Sequence, residues 1–337
     1  MIDEDTLSKV APELRAGLDY IPSFDFTPEF IAYLRTGGPI ATSFPRPPLT
    51  PEQESVRCEE RQIPGLDGAP AVRVLIYSPP APATQSRPGL LHIHGGGFIL
   101  GNPEINDGAN RSLVAALGCV VASVDYRLAP ETRFPGPIDD CYAALQWLHA
   151  SADELVIDPT RIAIAGESAG GGHAAALAIR ARDLGGPPVC FQLLDSPMLD
   201  DRTGSAFDST PDRLGVTWTA SNNRFGWSSL LGCEPGGGDT PINASPARVA
   251  DLSGLPPAYI LVGGLDLFVE ECVEYARRLM VAGVATELHV IPGAYHAFGI
   301  AGPDAPQVQC ATELSRAALA RGWRSTETAH DDLTKPR

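Results

Sequence analysis

The sequence predicts an α/β fold in which a mostly parallel sheet is covered by helices on both faces. Two observations carry that expectation. From about residue 56 onward, strand-like and helix-like segments alternate, and most of the strand-like ones are apolar at consecutive positions. Continuous apolar runs belong to strands buried on both faces, and the intervening helices supply the crossovers that parallel neighbours require. Composition agrees, because 44% of the 337 residues are hydrophobic, enough for a large core. The 34 glycines and 32 prolines exceed ordinary usage without reaching the excess that marks disorder, so they read as punctuation between segments.

In chain order, Val72, Val74 and Ile76 alternate with Arg73 and Leu75 before turn residues at Ser78-Pro79-Pro80. Gly89–Ile93 is a short apolar run that ends in a glycine cluster. A helix over Glu104–Leu117 precedes a strand over Cys119–Val124, and a helix over Pro137–His149 opens with proline at a position its missing N–H permits. The strand Arg161–Ala165 leads into an alanine-rich helix from Ser168 to about Leu184. Val189–Leu194, Ala258–Val262 and Thr286–Ile291 are further strands, with helices over Leu267–Ala282 and Pro306–Arg321 after the last two. Residues 51–200 and 246–325 are therefore assigned to one domain, and 326–337 to a flexible tail.

Two regions fall outside the alternation. Residues 1–50 carry one short helix around Leu14 and Leu18 and another opening at Thr27-Pro28-Glu29. Residues 201–245 contain Trp218, Phe225 and Trp227. Together they add roughly 90 residues that the sheet does not need, and they are read as the two parts of a helical cap.

Charge bounds the partners. With 25 Lys and Arg against 41 Asp and Glu, the net charge is −16, and no basic run interrupts it, so nucleic acid is not an expected partner. No stretch approaches the roughly 18 uninterrupted apolar residues of a membrane span. The opening MIDEDTLSKV is acidic where a secretory leader is basic, and the seven cysteines form no CxxC pair. A reducing, cytoplasmic location is expected from both.

Chemistry concentrates at Gly166-Glu167-Ser168-Ala169-Gly170, which follows a strand and opens a helix. In that setting the G-x-S-x-G pattern makes a nucleophile elbow: a strained turn lifts the serine hydroxyl above the sheet, and flanking glycines remove Cβ atoms that would clash. The pattern alone also occurs in ordinary glycine-rich turns. Upstream, His94-Gly95-Gly96-Gly97 ends a strand and lets backbone amides approach a carbonyl oxygen. Asp266 and His296 follow the last two strands, so that nucleophile, acid and base run in the order Ser168, Asp266, His296. That is the chain order of an α/β-hydrolase. Four features in the right order and context outweigh the bland reading of each.

These residues resemble a known family. HGGGF at His94–Phe98, DYRLAPE at Asp125–Glu131, GESAGG at Gly166–Gly171 and YHAF at Tyr295–Phe298 are similar to the bacterial hormone-sensitive-lipase family (family IV) of carboxylesterases, over about residues 50–323. The resemblance implies an α/β-hydrolase fold with a sheet of about eight strands and a cap made of the N-terminus and an insertion after the sixth strand. It implies Ser168 as nucleophile, Asp266 as acid, His296 as base and the amides of Gly96, Gly97 and Ala169 as oxyanion donors. It further implies a serine carboxylesterase acting on small-molecule esters of short to medium acyl chains, with no cofactor and no metal, and a homodimer through an edge strand. The chain departs from the family at Glu167, where Asp or Thr is more usual, and at the LFVEE that follows Asp266.

Glu270 and Glu271 stand as alternatives for the acid. Phe98, Trp218, Phe225 and Trp227 are candidates for the substrate pocket, although a small cap needs aromatic core as well. His92 and His94 share one strand face without a third ligand nearby, and His173 reads as packing. Asp139 and Asp140 are expected to face a helix dipole, and Asp125, Arg127 and Glu131 to form a network bracing the glycine loop. Deacetylase or lactonase chemistry would use the same triad. A non-catalytic ligand receptor on the same fold would have no reason to keep all three triad residues.

Overall fold

The computed structural model describes residues 4–20, 25–36, 47–206, 208 and 215–333, with side chains to 324. Its eight strands are β1 (Arg57–Ile63), β2 (Val72–Ser78), β3 (Arg87–Ile93), β4 (Val120–Asp125), β5 (Ile157–Glu167), β6 (Phe191–Asp195), β7 (Ala258–Gly263) and β8 (Thr286–Ile291). They form one sheet in the order β1-β2-β4-β3-β5-β6-β7-β8. Only the pairs β1/β2 and β2/β4 are antiparallel; all other neighbours are parallel.

Helices α1 (Glu4–Lys9), α2 (Pro28–Arg35) and α3 (Pro51–Ser55) precede the sheet. After β3 come α4 (Asp107–Leu117), α5 (Gly136–Ala150), the single turn α6 (Ala152–Leu155), α7 (Ala169–Asp183), α8 (Ala220–Leu231), α9 (Val269–Val281) and α10 (Pro306–Leu333). Two elements run more than two residues longer than expected. Strand β5 starts at Ile157 because Arg87 pairs with Ile157 and Gly89 with Ile162, so Asp158–Arg161 bulge out between them. Helix α10 runs on to Leu333, past the boundary expected for the tail.

The apolar runs are explained by two cores, one on each face of the sheet. Leu91, Ile93, Ala122, Val124, Ile162 and Ile164 point into one, with residues of α5, α7 and α9. Leu90, Val121, Ala163, Ala165, Tyr259 and Leu261 point into the other, with α4 and α10. Alternate residues of each strand thus serve opposite cores, and both sets must be apolar.

The N-terminal region divides. Residues Pro12–Tyr20 form a 3₁₀ helix in which Leu14 is buried, and Tyr295 Oη donates to Leu14 O at 2.8 Å. Helix α2 is capped by Thr27, whose hydroxyl accepts from Phe30 N, and begins at Pro28. It lies near the insertion between β6 and β7: the Phe26 ring stands 5.6 Å from Trp218 and 6.3 Å from Phe225. No helix among the described residues is long and apolar enough to cross a membrane.

Candidate active site

Parallel strands with helices between them bring the carboxyl ends of β3, β5, β6, β7 and β8 to one edge of the sheet, and the chemistry-bearing loops leave from there. Ser168 occupies the turn from β5 to α7 with φ 54° and ψ −120°. For a residue with a Cβ, such a conformation costs on the order of 1–3 kcal/mol and persists only where its surroundings impose it. Here they do: Ser168 N donates to Asp195 O at 2.8 Å, and Met198 N donates to Ser168 O at 3.0 Å. The neighbouring glycines are dictated by space. A Cβ on Gly166 would lie 2.3 Å from Gly170 O, and one on Gly170 would lie 2.0 Å from Ile93 O.

Asp266 follows β7 in a tight turn, and its Oδ1 accepts from Phe268 N at 3.0 Å. Its Oδ2 lies 2.8 Å from His296 Nδ1, and His296 Nε2 lies 2.9 Å from Ser168 Oγ. A proton on Nδ1, donated to the carboxylate, leaves Nε2 free to accept from the serine hydroxyl. The Asp266 side chain is fully buried and His296 nearly so, which strengthens interactions that water would otherwise screen. The Phe268 ring meets the imidazole edge-on at 5.0 Å, and Thr217 Oγ1 donates to His296 O at 2.6 Å. Glu271 is turned elsewhere. Its carboxylate accepts from Leu199 N and Thr203 Oγ1, and burial, with Asp200 nearby, raises its pKa well above the usual range.

The glycine loop lies against the elbow: a Cβ on Gly95 would be 3.0 Å from Glu167 O. Gly96, Gly97 and Phe98 have φ of 125°, 61° and 67° in succession, a left-handed run that glycine enters freely and phenylalanine does not. Among the described residues, the amides of Gly96, Gly97 and Ala169 donate to no protein acceptor. Orphan donors in a loop that lies against the Ser168 turn are suited to an oxygen that gains charge.

The histidines at the carboxyl end of β3, His92 within it and His94 just after it, take different partners. His92 is buried, with Nδ1 3.0 Å from Ser123 Oγ and Nε2 3.0 Å from a Glu167 carboxylate oxygen. His94 stacks on Tyr126 at 4.3 Å, and its Nδ1 lies 2.8 Å from Gly95 O. Burial lowers the His94 pKa to about 4 and that of His173 to about 3, so both are neutral packing groups at pH 7. Asp195, paired in register with Glu167, is pushed up to about 7 by burial and by that neighbouring carboxylate.

The four aromatic candidates separate by burial. Phe98 and Trp227 are each 1% exposed and pack on each other at 4.8 Å behind the loop. Trp218 and Phe225 are only partly buried. The Trp218 ring touches Gly97 closely enough that a Cβ there would fall 2.3 Å from it, and Trp218 Nε1 donates to Asn223 Oδ1 at 3.1 Å.

Two structural expectations hold only in part: Asp139 lies in the first turn of α5 and Glu131 braces the glycine loop through Arg35, but the ion pairs are not those expected. Asp125, Arg127 and Glu131 do not pair with one another: their partners are Arg73, Asp140 and Arg35. Asp140 is a buried carboxylate accepting from the backbone and side chain of Arg127, and Asp139 pairs with Arg180 at 2.5 Å. Burial demands a fixed charged partner, which a helix dipole does not supply. Sequence reasoning also missed Arg35, Thr217 and the Tyr126 hydroxyl, which donates to His94 O at 2.9 Å. Tyr126 sits within DYRLAPE and could have been singled out. The other two act across gaps of 64 and 79 residues that no local pattern encodes.

A buried imidazole set between a carboxylate and a strained serine, with a glycine loop of unsatisfied amides against that turn, is an arrangement suited to acyl transfer. Residues 90–300 match a family described as having the α/β hydrolase fold. The chain is 38% identical over 280 residues to Esterase LipI of Mycobacterium tuberculosis, covering 82% of this chain and 83% of that protein. It is 33% identical over 271 residues to an arylesterase of Saccharolobus solfataricus, covering 77% and 80%. Among solved structures, a bacterial heroin esterase superposes with a TM-score of 0.86 at 39% identity, covering 94% of this chain and 99% of that one. The chain belongs to the α/β-hydrolase family, within its bacterial hormone-sensitive-lipase-like carboxylic ester hydrolases.

Proposed function

We propose that this chain hydrolyses short to medium acyl esters through an acyl-enzyme formed on Ser168. The observation that carries the proposal is the unbroken line Ser168 Oγ–His296 Nε2 at 2.9 Å and His296 Nδ1–Asp266 Oδ2 at 2.8 Å. Ser168 Oγ attacks the ester carbonyl carbon as His296 Nε2 takes its proton. The carbonyl oxygen becomes an oxyanion and accepts from the amides of Gly96, Gly97 and Ala169. As the tetrahedral intermediate collapses, the C–O bond to the alcohol breaks and His296 returns the proton to that oxygen. Water, deprotonated by the same nitrogen, then releases the carboxylic acid and restores Ser168. Asp266 holds the tautomer and stabilises the imidazolium throughout.

Residues 26–35 and the insertion after β6 act as the cap in this reading, with Trp218 and Phe225 facing substrate and Phe98 and Trp227 serving as packing. The seven unpaired cysteines fit a cytoplasmic location, and β8, an edge strand with Val290 41% exposed, is read as the route to a homodimer. A receptor would have no use for the buried Asp266–His296 pair. The test is a chain-length series of p-nitrophenyl esters run beside Ser168→Ala. Turnover of a short ester should fall by on the order of 10⁴-fold or more in the variant. Retention of the wild-type rate overturns the assignment.

A further inference from the structure

The glycine loop is held by contacts on its carbonyls, and those contacts come from several parts of the chain. His94 O accepts from Tyr126 Oη. Gly96 O accepts from Ile99 N and Leu100 N, and Phe98 O accepts from Ala129 N at 3.0 Å. Ile99 O accepts from Arg35, through Nε at 2.9 Å and Nη2 at 2.7 Å. Arg35 Nη2 also donates to Ala129 O, while Nη1 reaches the Glu131 carboxylate at 2.7 Å. One planar guanidinium from the last residue of α2 therefore bridges both sides of the Ala129–Phe98 hydrogen bond. Of the donors named, it is the only charged one.

We propose that Arg35 is a positioning residue for the oxyanion site, acting through the Ile99 and Ala129 carbonyls on the amides of Gly96 and Gly97. The inference rests on the assignment of those amides under the proposed function. Phe98 needs the hold most, because its φ of 67° is one that a bulky side chain disfavours. Two donors fixed in a rigid fork on one acceptor define both the position and the direction of that carbonyl, which a single point charge does not. If the fork is removed, the loop can relax toward ordinary dihedrals, carrying the amides away from where the oxyanion forms. Because the amides meet charge only as the carbonyl is attacked, the loss falls on the transition state and spares ground-state binding.

The experiment compares wild type, Arg35→Gln and Arg35→Lys in the full chain, with folding checked by circular dichroism and melting temperature. Steady-state kinetics on p-nitrophenyl butyrate are measured beside inhibition by a trifluoromethyl ketone, whose hemiketal adduct with the serine oxygen presents an oxyanion. The expected result is a kcat lower by on the order of 10- to 100-fold in both variants, with KM within about twofold and ketone affinity falling in parallel with kcat/KM. Lysine should not restore the rate although it keeps the charge. A folded Arg35→Gln with wild-type kcat overturns the proposal, as does a loss carried by KM or a lowered kcat beside undiminished ketone affinity. Labelling of wild type but not Ser168→Ala by a fluorophosphonate tests the underlying serine assignment separately.

Discussion

Replacing Gly226 with alanine sets two effects of known direction against each other. Gly226 lies inside α8, where alanine is favoured over glycine by about 1 kcal/mol. Its added Cβ, however, would sit 2.6 Å from Gly97 O and 3.5 Å from Gly97 C. Carbon–oxygen contacts settle near 3.3–3.6 Å, so the two backbones must part by about 0.7–1 Å. Helix α8 is not free to take up that movement: Phe134 N donates to Leu230 O at 2.9 Å, and Trp227 is wedged 4.8 Å from Phe98. Gly97 therefore moves, and its amide moves with it. A misplacement near 1 Å costs on the order of 10²-fold in rate. Gly226→Ala should lower kcat on a short p-nitrophenyl ester by about 10- to 100-fold, in a protein whose far-ultraviolet circular dichroism is unchanged. Wild-type kcat together with a raised melting temperature would show that the helix term wins, and would refute the coupling of insertion to glycine loop.

Two further substitutions probe charge and pocket. The Asp195 carboxyl, pushed up to about 7 from an ordinary 3.8, keeps a proton in the fold that the unfolded chain has lost between those values. Stability should accordingly decline as pH rises through that window, with the full deficit above pH 7. Its ceiling is about 4 kcal/mol, at about 1.4 per pKa unit, less what solvent recovers at a half-buried group. Asp195→Asn should raise the melting temperature at pH 8 and not at pH 4, and equal shifts at both would be the wrong result. Phe26→Ala removes the ring that stands 5.6 Å from Trp218 and 6.3 Å from Phe225. It should shift the ratio of kcat/KM for octanoyl over acetyl esters upward by on the order of tenfold, since a methylene in an apolar pocket is worth about 1–3 kcal/mol. An unchanged ratio would show that the contacts of Phe26 with Trp218 and Phe225 do not shape the acyl pocket.

The sheet and the triad candidates were legible for a shared reason. Strands buried on both faces need apolar residues at every position, and an elbow needs glycine on both sides of its serine, so each leaves a local pattern at Arg161–Ala165 and Gly166–Gly170. Asp266 and His296 were found because each directly follows a strand, and parallel strands end at one edge. Contacts made by a single residue across a long gap left no such pattern. Arg35 looks like the basic end of a short helix, and only its four hydrogen bonds reveal what it holds. Asp140 reads as a first-turn acid until burial shows that it must have Arg127.

By itself, then, the sequence determined what local sterics and periodicity control: the alternating fold, the strained serine turn, the glycine loop and the order of Ser168, Asp266 and His296. Tertiary structure alone decided which carboxylate faces the imidazole, which aromatics are buried and which stay partly exposed, and which distant donors hold the loop. Those choices depend on distances of about 3 Å between groups far apart in the chain, and such distances exist only once both cores have closed on the sheet.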